Sequence, residues 1–405
     1  MKGTYISLFS GCGGFDTGFQ ECGFKSLGAY DIDPFVMDVH SKNIGGPAIV
    51  HDLNNQELPG LENRPEIDIV ISGSPCQGFS TIGKRLVNDP RNQLMLSGGE
   101  IAIKYGAKVF ISENVLGSNS GDHKKYWFTL IALLEANGFQ TKMVRYSASD
   151  FGVAQSRKRI ILYAWKPELF PNVTVDDTFQ PTHLTLADAL KDVELANNHN
   201  LDYIEQNSID YRIAERIKPG QKLCNVRGGE RAVHTWDIPE VFSQTSEDER
   251  LLLNLIMKLR RQIRRRDFGD ADPVDEKHLV DNFNGSTNNL LESLINKGYV
   301  RRVENDFIDL THCFNGKYKR LSFDSLSPTV DTRFGVYKNF LHPSENRGMS
   351  VREAARIQGF KDDFVFTGPI KKQYEMIGNA VPPPLSNFIA QNVKNNIIAK
   401  HARPN

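Results

Sequence analysis

Short apolar runs alternate with amphipathic stretches along the first 165 residues of the chain. Runs of strand length cover residues 5–9, 67–72, 108–113 and 159–165, and residues 126–137 carry apolar side chains at helical spacing. Continuous apolar strands that alternate with helices are typical of a mostly parallel sheet covered on both faces. The pattern therefore predicts an α/β fold in which ligands bind at the carboxyl ends of the strands.

The alternation stops after residue 166, where a different organisation begins. Residues 170–245 are rich in Asn, Asp, Thr, Pro and Gly, and they predict a region dominated by loops. A capping box formed by Ser246 and Glu249 then opens a helix whose apolar positions recur at helical spacing.

Two more helices and a hairpin are predicted after this capped helix. We expect the second helix to begin with Asp272 as its cap and Pro273 at its first position. The third helix covers 287–297, and the hairpin covers 299–310. This order predicts a winged helix-turn-helix at 246–312, within a second and smaller domain.

The charge balance excludes a uniformly basic surface but leaves room for a local basic groove. Lys plus Arg number 49 and Asp plus Glu also number 49. No apolar run approaches the roughly 20 residues that span a bilayer, and the N-terminus lacks a signal-peptide pattern. The five cysteines are odd in number and are not spaced as zinc ligands. We therefore expect free thiols, no metal and a cytoplasmic protein.

A glycine-rich turn at 9–15 follows the first predicted strand and opens a helix. Glycines there let the backbone approach a ligand, and the N–H groups of the helix N-terminus can face it. Asp31 lies about 20 residues on, where an acidic residue can bind ribose hydroxyls. The spacing does not match the G-x-G-x-x-G dinucleotide fingerprint. On these residues alone, a nucleoside-cofactor site and a tight packing turn remain equally open.

Two candidate catalytic groups follow neighbouring predicted strands. The segment 73–80 reads Gly-Ser-Pro-Cys-Gln-Gly-Phe-Ser and places Cys76 in a polar loop at a strand end, where a stabilised thiolate could attack a substrate. Glu113 ends the next strand and could exchange a proton opposite that thiol. The alternatives are a buried structural cysteine and a Glu-Asn pair that caps a loop.

Two basic runs stand out. Residues 155–159 read Gln-Ser-Arg-Lys-Arg and favour a nearby anion or polarised carbonyl. Residues 258–266 contain six basic residues and are typical of a helix that contacts nucleic-acid phosphates. Both runs could instead be solvated charged surface.

Taken together, these motifs resemble the cytosine-C5 DNA methyltransferase family of the bacterial restriction-modification type. Their order is the specific signal. The motifs lie at 9–14, 73–80, 113–115, 155–159, at 352–360 (Arg-Glu-Ala-Ala-Arg-Ile-Gln-Gly-Phe) and at 378–385 (Gly-Asn-Ala-Val-Pro-Pro-Pro-Leu). The resemblance covers about 1–165 and 325–395 but not 166–324. It implies a Rossmann-like, mostly parallel catalytic domain.

The resemblance also implies a reaction. The enzyme would transfer a methyl group from S-adenosylmethionine to C5 of a cytosine flipped out of a specific duplex DNA sequence. Cys76 would add to C6 of the base, and Glu113 would hold and protonate N3. Arg157 and Arg159 would position the base and the loop that carries Cys76.

The implied cofactor site gathers residues from distant parts of the chain. Asp31 would bind the ribose, Ile32 would pack on the adenine, and the remaining residues would surround the methionine and adenosine. These remaining residues are Phe9, Cys12, Gly14, Asp52, Leu53, Pro75, Leu94, Asn379 and Val381.

The domain boundaries follow from the same motifs. Residues 1–170, completed by 370–405, would form the catalytic and cofactor-binding domain, and residues 171–369 the target-recognition domain. Arginines of the basic run would hold phosphates, and asparagines of the third helix would read base edges. The residues expected to contact DNA are Gln77, Ser80, Arg264, Arg265, Arg266, Asn288, Asn289 and Thr329.

Double-stranded DNA is the expected partner of a monomeric enzyme that contacts no membrane, and a cognate restriction endonuclease would act separately. Three other functions stay open. They are a tRNA cytosine-C5 methyltransferase with the same core, a non-catalytic DNA-binding protein on this scaffold, and a nicotinamide-dependent oxidoreductase. The long middle region favours DNA over tRNA. The presence of both Cys76 and Glu113 argues against a non-catalytic protein, and the absent fingerprint argues against an oxidoreductase.

Overall fold

The chain divides into two compact units in a computed structural model that describes residues 3–63, 65–75, 90–175, 179–266, 269, 271–304 and 306–398. The first unit comprises 1–199, 324–333 and 351–405. The second comprises 200–323 and 334–350. No helix among the described residues is long and apolar enough to cross a membrane.

A seven-stranded sheet forms the core of the first unit, with the strand order β3-β2-β1-β4-β5-β7-β6. Its first five strands are parallel, whereas β7 runs antiparallel to both β5 and β6. This confirms the predicted α/β fold with a mostly parallel sheet. The strands are β1 (Thr4–Leu8), β2 (Lys25–Asp31), β3 (Ala48–Val50), β4 (Ile69–Ser72), β5 (Val109–Val115), β6 (Gln140–Ser147) and β7 (Lys158–Trp165).

Helices among the described residues belong to both units. In the first unit they are α1 (Gly14–Glu21), α2 (Pro34–Asn43), α3 (Leu94–Lys104), α4 (Lys124–Ala136) and α5 (Leu186–Leu190). In the second they are α6 (Ile209–Arg216), α7 (Pro239–Phe242), α8 (Glu247–Gln262), α9 (Glu276–Asn282) and α10 (Asn288–Asn296). The first unit ends with α11 (Val351–Gln358), α12 (Ile370–Asn379) and α13 (Pro383–Asn392). Short 3₁₀ turns lie at Pro90–Gln93, Leu116–Asn119, Gly121–His123, Ala148–Asp150, Val193–Leu195 and Thr235–Asp237, and a π turn lies at Val393–Ile398.

Both faces of the large sheet are buried, as its continuous apolar strands predict. Ile6, Val70 and Phe110 belong to one buried cluster together with side chains of α3 and α4. Their chain neighbours, such as Tyr5 and Ile69, belong to a second cluster with α1 and α13. Successive side chains of a strand point to opposite faces, so apolar residues at every position are needed to cover both.

The first unit extends beyond the predicted catalytic boundaries of 1–170 and 370–405. It includes 171–199, 324–333 and 351–369, which the sequence assigned to the recognition domain. Gln358 of α11 accounts for part of the difference, because its Oε1 accepts a hydrogen bond from Nε2 of Gln155 and its Nε2 donates to the main-chain oxygen of Ala380. These bonds tie α11 to residues on both sides of the predicted range 171–369.

The described residues of the second unit form several short strands and two hydrophobic clusters. Three strands pair in the order β13-β8-β9, three in the order β10-β12-β11, and β14 pairs with β15. The strands are β8 (Lys222–Cys224), β9 (Ala232–Val233), β10 (Val274–Asp275), β11 (Val300–Glu304), β12 (Phe307–Leu310), β13 (Asn315–Lys317), β14 (Lys319–Arg320) and β15 (Phe340–Leu341).

The segment 246–312 differs from its predicted form at the second helix. The capping box of Ser246 and Glu249 is present at α8. However, α9 begins at Glu276 and its cap is Asp275, so the prediction of Asp272 as the cap is wrong. The Asp272 side chain is fully buried and accepts hydrogen bonds from main-chain N–H groups and arginines, which withdraws it from a capping role.

A close helix contact in the first unit yields a stability prediction. A Cβ at Gly18 of α1 would lie 2.2 Å from the main-chain nitrogen of Asn387 in α13. The backbones must therefore move apart in Gly18→Ala, and such overpacking costs about 1–3 kcal/mol. We expect a lower midpoint in chemical denaturation. Thr129→Ala, at an exposed position of α4, is the control and should change stability by less than about 0.5 kcal/mol. Equal stability of the two variants would contradict this.

Candidate active site

A cavity of about 540 Å³ opens at the carboxyl edge of the large sheet, in the first unit. The chain crosses from β1 to β2 and β3 on one side and from β4 to β5 on the other, so the strand order reverses between β1 and β4. Crevices at such reversal points bind ligands in open α/β sheets. The cavity is lined by all the residues that the sequence assigned to the cofactor: Phe9, Cys12, Gly14, Asp31, Ile32, Asp52, Leu53, Pro75, Leu94, Asn379 and Val381.

The glycine-rich turn fits closely between neighbouring segments. Gly13 has a φ of 99°, and a Cβ there would lie 2.4 Å from Cγ1 of Ile44. A Cβ at Gly14 would lie 2.5 Å from the carbonyl oxygen of Val381. Larger side chains would therefore push the turn away from α2 and from the segment after α12, both of which border the cavity.

The Asp31 carboxylate links the second strand to this turn. Its Oδ2 accepts a hydrogen bond from the Gly11 N–H, and its Oδ1 accepts one from the Asp33 N–H, each at 3.1 Å. Burial raises the pKa of Asp31, although these two N–H groups act in the opposite direction. Each carboxylate oxygen can accept a further bond, so the pair can hold a ribose hydroxyl.

Lys372 and Asp33 form a wall of the cavity that sequence reasoning missed. Nζ of Lys372 lies 2.8 Å from Oδ2 of Asp33. Burial alone would raise the pKa of Asp33, but the hydrogen bond and charge of Lys372, together with main-chain N–H groups, outweigh it and lower the pKa. The two residues are 339 positions apart, so no local spacing could have predicted the pair.

Cys12 lies in the cavity wall as a neutral thiol. Its side chain is buried, and its Sγ donates to the carbonyl oxygen of Met376 at 3.7 Å. Burial raises the pKa of the Cys12 thiol to about 12. A thiol with that pKa is not a nucleophile at neutral pH, which separates Cys12 from the proposed attacking cysteine.

Glu113 and Arg159 form a buried ion pair at the same edge. Nε of Arg159 lies 2.7 Å from Oε1 of Glu113, and each side chain is about one-tenth exposed. The antiparallel course of β7 brings them together, because Val115 of β5 pairs with Arg159 at the start of β7. The guanidinium fixes the carboxylate of Glu113 in an orientation toward the cavity that both residues line.

Asn114 anchors the loop that leads to Cys76. Its Nδ2 donates to Oγ of Ser74 at 3.1 Å and to the carbonyl oxygen of Ser74 at 3.3 Å. Cys76 follows two residues later but lies outside the described residues, as do Gln77 and Ser80. The Glu-Asn pair at 113–114 thus provides one side chain for the cavity and one for the base of this loop.

Arg157 lines the cavity, but its guanidinium bonds to main-chain carbonyl groups. The Nη atoms donate to Val330 at 3.1 Å, to Gly378 at 3.0 Å and to Ala380 at 2.9 Å. The side chain is buried. These contacts differ from the expected contact with the base, and they make Arg157 a positioning residue that holds Gly378 and Ala380 against the sheet edge.

The described residues that the sequence expected to contact DNA are divided between the two units. Thr329 belongs to the first unit and donates from its hydroxyl to the carbonyl oxygen of Ser156 at 2.7 Å. Asn288 and Asn289 are exposed at the start of α10.

The arginines of the basic run have partners within the second unit. Nε of Arg264 and Nε of Arg266 lie 3.0 and 2.5 Å from the carboxylate of Asp272. The guanidinium of Arg265 lies over the ring of Phe307, 4.0 Å from its centre. Burial would raise the pKa of Asp272, but hydrogen bonds from the N–H groups and guanidinium groups around it hold the pKa far below its usual range. The arginines at 264–266 therefore stabilise their own turn, and the phosphate contact expected from the sequence stays a prediction.

The fold and the cavity are typical of α/β enzymes that bind a nucleoside-containing cofactor at a strand-order reversal. A family model for C-5 cytosine-specific DNA methylases matches residues 3–395 of this chain. Type II methyltransferase M.XorII of Xanthomonas oryzae is 29% identical over 98% of this chain and 86% of its own length. Type II methyltransferase M.AgeI of Thalassovita gelatinovora is 28% identical over 96% of this chain and 98% of its own length.

Solved structures share the fold. A protein described as a DNA modification methyltransferase from an E. coli prophage superposes with a TM-score of 0.59 at 22% identity, covering 97% of this chain and 99% of its own. The Entamoeba histolytica methyltransferase EhMeth superposes with a TM-score of 0.53 at 16% identity, covering 97% and 98%.

The chain belongs to the C-5 cytosine-specific DNA methylase family, since the family model spans nearly its whole length. It is a DNA (cytosine-5-)-methyltransferase, and the curated relatives are type II methyltransferases of restriction-modification systems. The family uses S-adenosylmethionine as the methyl donor and acts on duplex DNA.

The Asp31 geometry yields a prediction for cofactor binding. Asp31→Ala removes a charged acceptor and should weaken S-adenosylmethionine binding by roughly 10- to 150-fold, equivalent to about 1.5–3 kcal/mol. Isothermal titration calorimetry measures the change directly. Asp38→Ala, at an exposed position of α2, is the control and should bind the cofactor normally. Unchanged affinity in Asp31→Ala would place the ribose contact elsewhere.

Proposed function

We propose that this enzyme methylates a cytosine flipped out of a specific duplex sequence, by covalent catalysis from Cys76. The ion pair between Glu113 and Arg159 supports this most directly, because it holds a carboxylate at the cavity edge beside the loop anchored by Asn114. A cytosine within a duplex hides C5 and C6 in the base stack, so attack requires the base to leave the stack.

Each catalytic residue then has a defined task. The thiolate of Cys76 forms a bond to C6 of the base, while Glu113 protonates or hydrogen-bonds N3 and so draws electrons from the ring. S-adenosylmethionine, when bound, supplies the methyl group to C5. Loss of the C5 proton and breakage of the bond from sulfur to C6 restore the aromatic base and the free Cys76.

The residues that line the cavity suit the chemistry of the methyl donor. Gly13 and Gly14 let the turn pack against Ile44 and Val381, where a Cβ would clash. Asp31 would hold the ribose hydroxyls. Ile32, with 65% of its surface exposed, would pack on the adenine. Arg157 would keep the segment that contains Asn379 and Val381 in place around the cofactor.

The second unit would supply target recognition. Its segment 246–312 runs helix, strand, two helices and hairpin, and β10 pairs with the hairpin strand β12. This element order is typical of a winged helix, in which the third helix reads the major groove. Asn288 and Asn289 would then read base edges, because amide side chains can pair with adenine in that groove.

The names of the relatives favour a restriction-modification role. A separate endonuclease that cleaves the unmethylated site would be the functional counterpart, and the methyltransferase would act as a monomer. A tRNA substrate is the nearest alternative. Transfer of labelled methyl groups to duplex DNA but not to tRNA supports the proposal, and the reverse preference would contradict it.

Substitution of Cys76 should abolish methyl transfer, and substitution of Glu113 should slow it. Cys76→Ser replaces the thiol by a hydroxyl, which is a poor nucleophile without an activating base. Glu113→Gln removes the proton donor and should lower the rate by about 10²–10⁴-fold. Bisulfite sequencing of methylated DNA measures both effects and reports the target sequence. Cys224→Ser is the control and should retain activity, and substantial turnover by Cys76→Ser would refute covalent catalysis by this residue.

The proposed recognition helix, α10, can be tested separately. The double variant Asn288→Ala, Asn289→Ala should discriminate less between target and non-target duplexes, by about 1–3 kcal/mol for each base pair that these side chains read. Competition binding measures this discrimination, and calorimetry should give a normal cofactor affinity. Asn254→Ala, at an exposed position of α8, is the control. If discrimination stays normal, the reader lies elsewhere, in 220–245 or 313–335.

A further inference from the structure

Charge is distributed unevenly within the second unit. The segment 246–312 contains 13 acidic and 11 basic residues, a net charge of −2. The rest of the unit, at 200–245, 313–323 and 334–350, contains 8 acidic and 11 basic residues, a net charge of +3. The most basic part of this unit therefore lies outside the predicted winged helix.

Carboxylates within the unit already pair with many arginines of 246–312. Arg260 lies 2.7 Å from Asp309, and Arg302 lies 2.7 Å from Glu292. The arginines at 264 and 266 share the carboxylate of Asp272. Breaking the pairs with Asp272 and Asp309 to bind phosphates would leave buried carboxylates without their counterions.

Three basic residues lie close together around β8 instead. Lys222 lies on β8, Arg231 directly precedes β9, and Lys319 begins β14. The Arg320 N–H of β14 donates to the Gln221 carbonyl at 3.0 Å, which places Lys319 beside the start of β8. The Lys222 N–H donates to the Arg231 carbonyl at 3.0 Å, which brings the first two together. A Cβ at Gly316 would lie only 3.4 Å from Nζ of Lys222, so the glycine leaves space for that side chain.

The three residues lack a neutralising partner within the described part of the chain. No carboxylate there lies within salt-bridge distance of Lys222, Arg231 or Lys319, although Glu230 is adjacent in sequence to Arg231. Burial lowers the pKa of Lys319, and the positive charges of Lys222 and Arg231 lower it further. Like charges held together in this way are stabilised by a bound anion.

We propose that Lys222, Arg231 and Lys319, here called the sheet cluster, bind the backbone phosphates of the DNA substrate, and that the basic run at 258–266 does not. This inference rests on the proposed DNA-methylating function and names the surface that would carry it. Sequence-independent phosphate contacts of this kind fix the orientation of a protein on the duplex.

A triple substitution tests the sheet cluster. Lys222→Gln, Arg231→Gln, Lys319→Gln should weaken binding to both target and non-target duplexes by about tenfold or more at 0.1 M salt. The slope of log affinity against log salt should flatten by about 0.9 for each phosphate that the variant no longer neutralises. Fluorescence anisotropy with labelled duplex, without cofactor, measures both quantities.

The matched control removes three positive charges elsewhere in the unit. Arg212→Gln, Lys218→Gln, Lys277→Gln changes exposed side chains outside the sheet cluster and the basic run. This control should keep the wild-type affinity and slope. An equal weakening in the control would mean that only net charge matters and would overturn the inference. So would an equal or larger weakening in Lys258→Gln, Arg261→Gln, which would return phosphate binding to the basic run.

Thermal unfolding distinguishes a binding role from a structural one. The sheet-cluster variant should unfold at the wild-type temperature or above it, because the substitutions remove repulsion between like charges. If it unfolds at a lower temperature, the single variants Lys222→Gln and Arg231→Gln decide the question. Each single variant should flatten the salt slope by about 0.9 with unchanged unfolding, and normal slopes in both would overturn the inference.

Methyl transfer is measured separately, so the two proposals can fail independently. Wild-type protein that binds duplex DNA through the sheet cluster but transfers no methyl group would refute the proposed function alone. Protein that methylates duplex cytosine while the sheet-cluster variant keeps its affinity and slope would refute this inference alone.

Discussion

The candidate active site depends on the reversed direction of β7 in an otherwise parallel edge of the sheet. In a wholly parallel sheet, the residues that precede a strand lie at the edge opposite to the ligand site. Because β7 runs antiparallel to β5, Arg159 pairs with Val115 and reaches Glu113. The same reversal brings Arg157 to the cavity. The start of β7 and the residue before it thus supply the two arginines of the site.

Buried arginines hold together segments of each unit that lie far apart in the sequence. Arg157 and Arg352 in the first unit, and Arg320 in the second, donate chiefly to main-chain carbonyl oxygens. A guanidinium has five N–H donors in a fixed plane, so it can satisfy several carbonyl groups that would otherwise be buried without partners. Arg157 applies this chemistry at the cofactor cavity, where it holds Gly378 and Ala380 beside the start of β7.

Local patterns predicted the sheet and the cavity residues, but long-range partners were beyond their reach. Apolar runs predicted strands β1, β4, β5 and β7. The order of the motifs predicted that Asp31 and Glu113 belong to one site, and both residues line the cavity. The pair of Lys372 with Asp33 has no sequence signal, because its members approach only after the chain has folded. The prediction that Asp272 caps the second helix was wrong for a related reason. Its carboxylate has a stronger role among arginines than at a helix N-terminus, and Asp275 caps α9 in its place.

The second unit illustrates how proximity in sequence and proximity in space lead to opposite conclusions about charge. Arg264, Arg265 and Arg266 form a continuous basic run, yet the folded structure pairs it with Asp272 and the ring of Phe307. Lys222, Arg231 and Lys319 form no run, yet the pairing of short strands brings them together, and no carboxylate among the described residues lies within salt-bridge distance of them. The free energy available for binding a polyanion depends on charge that remains unneutralised after folding. By that criterion, Lys222, Arg231 and Lys319 are better placed to bind a polyanion than the continuous run.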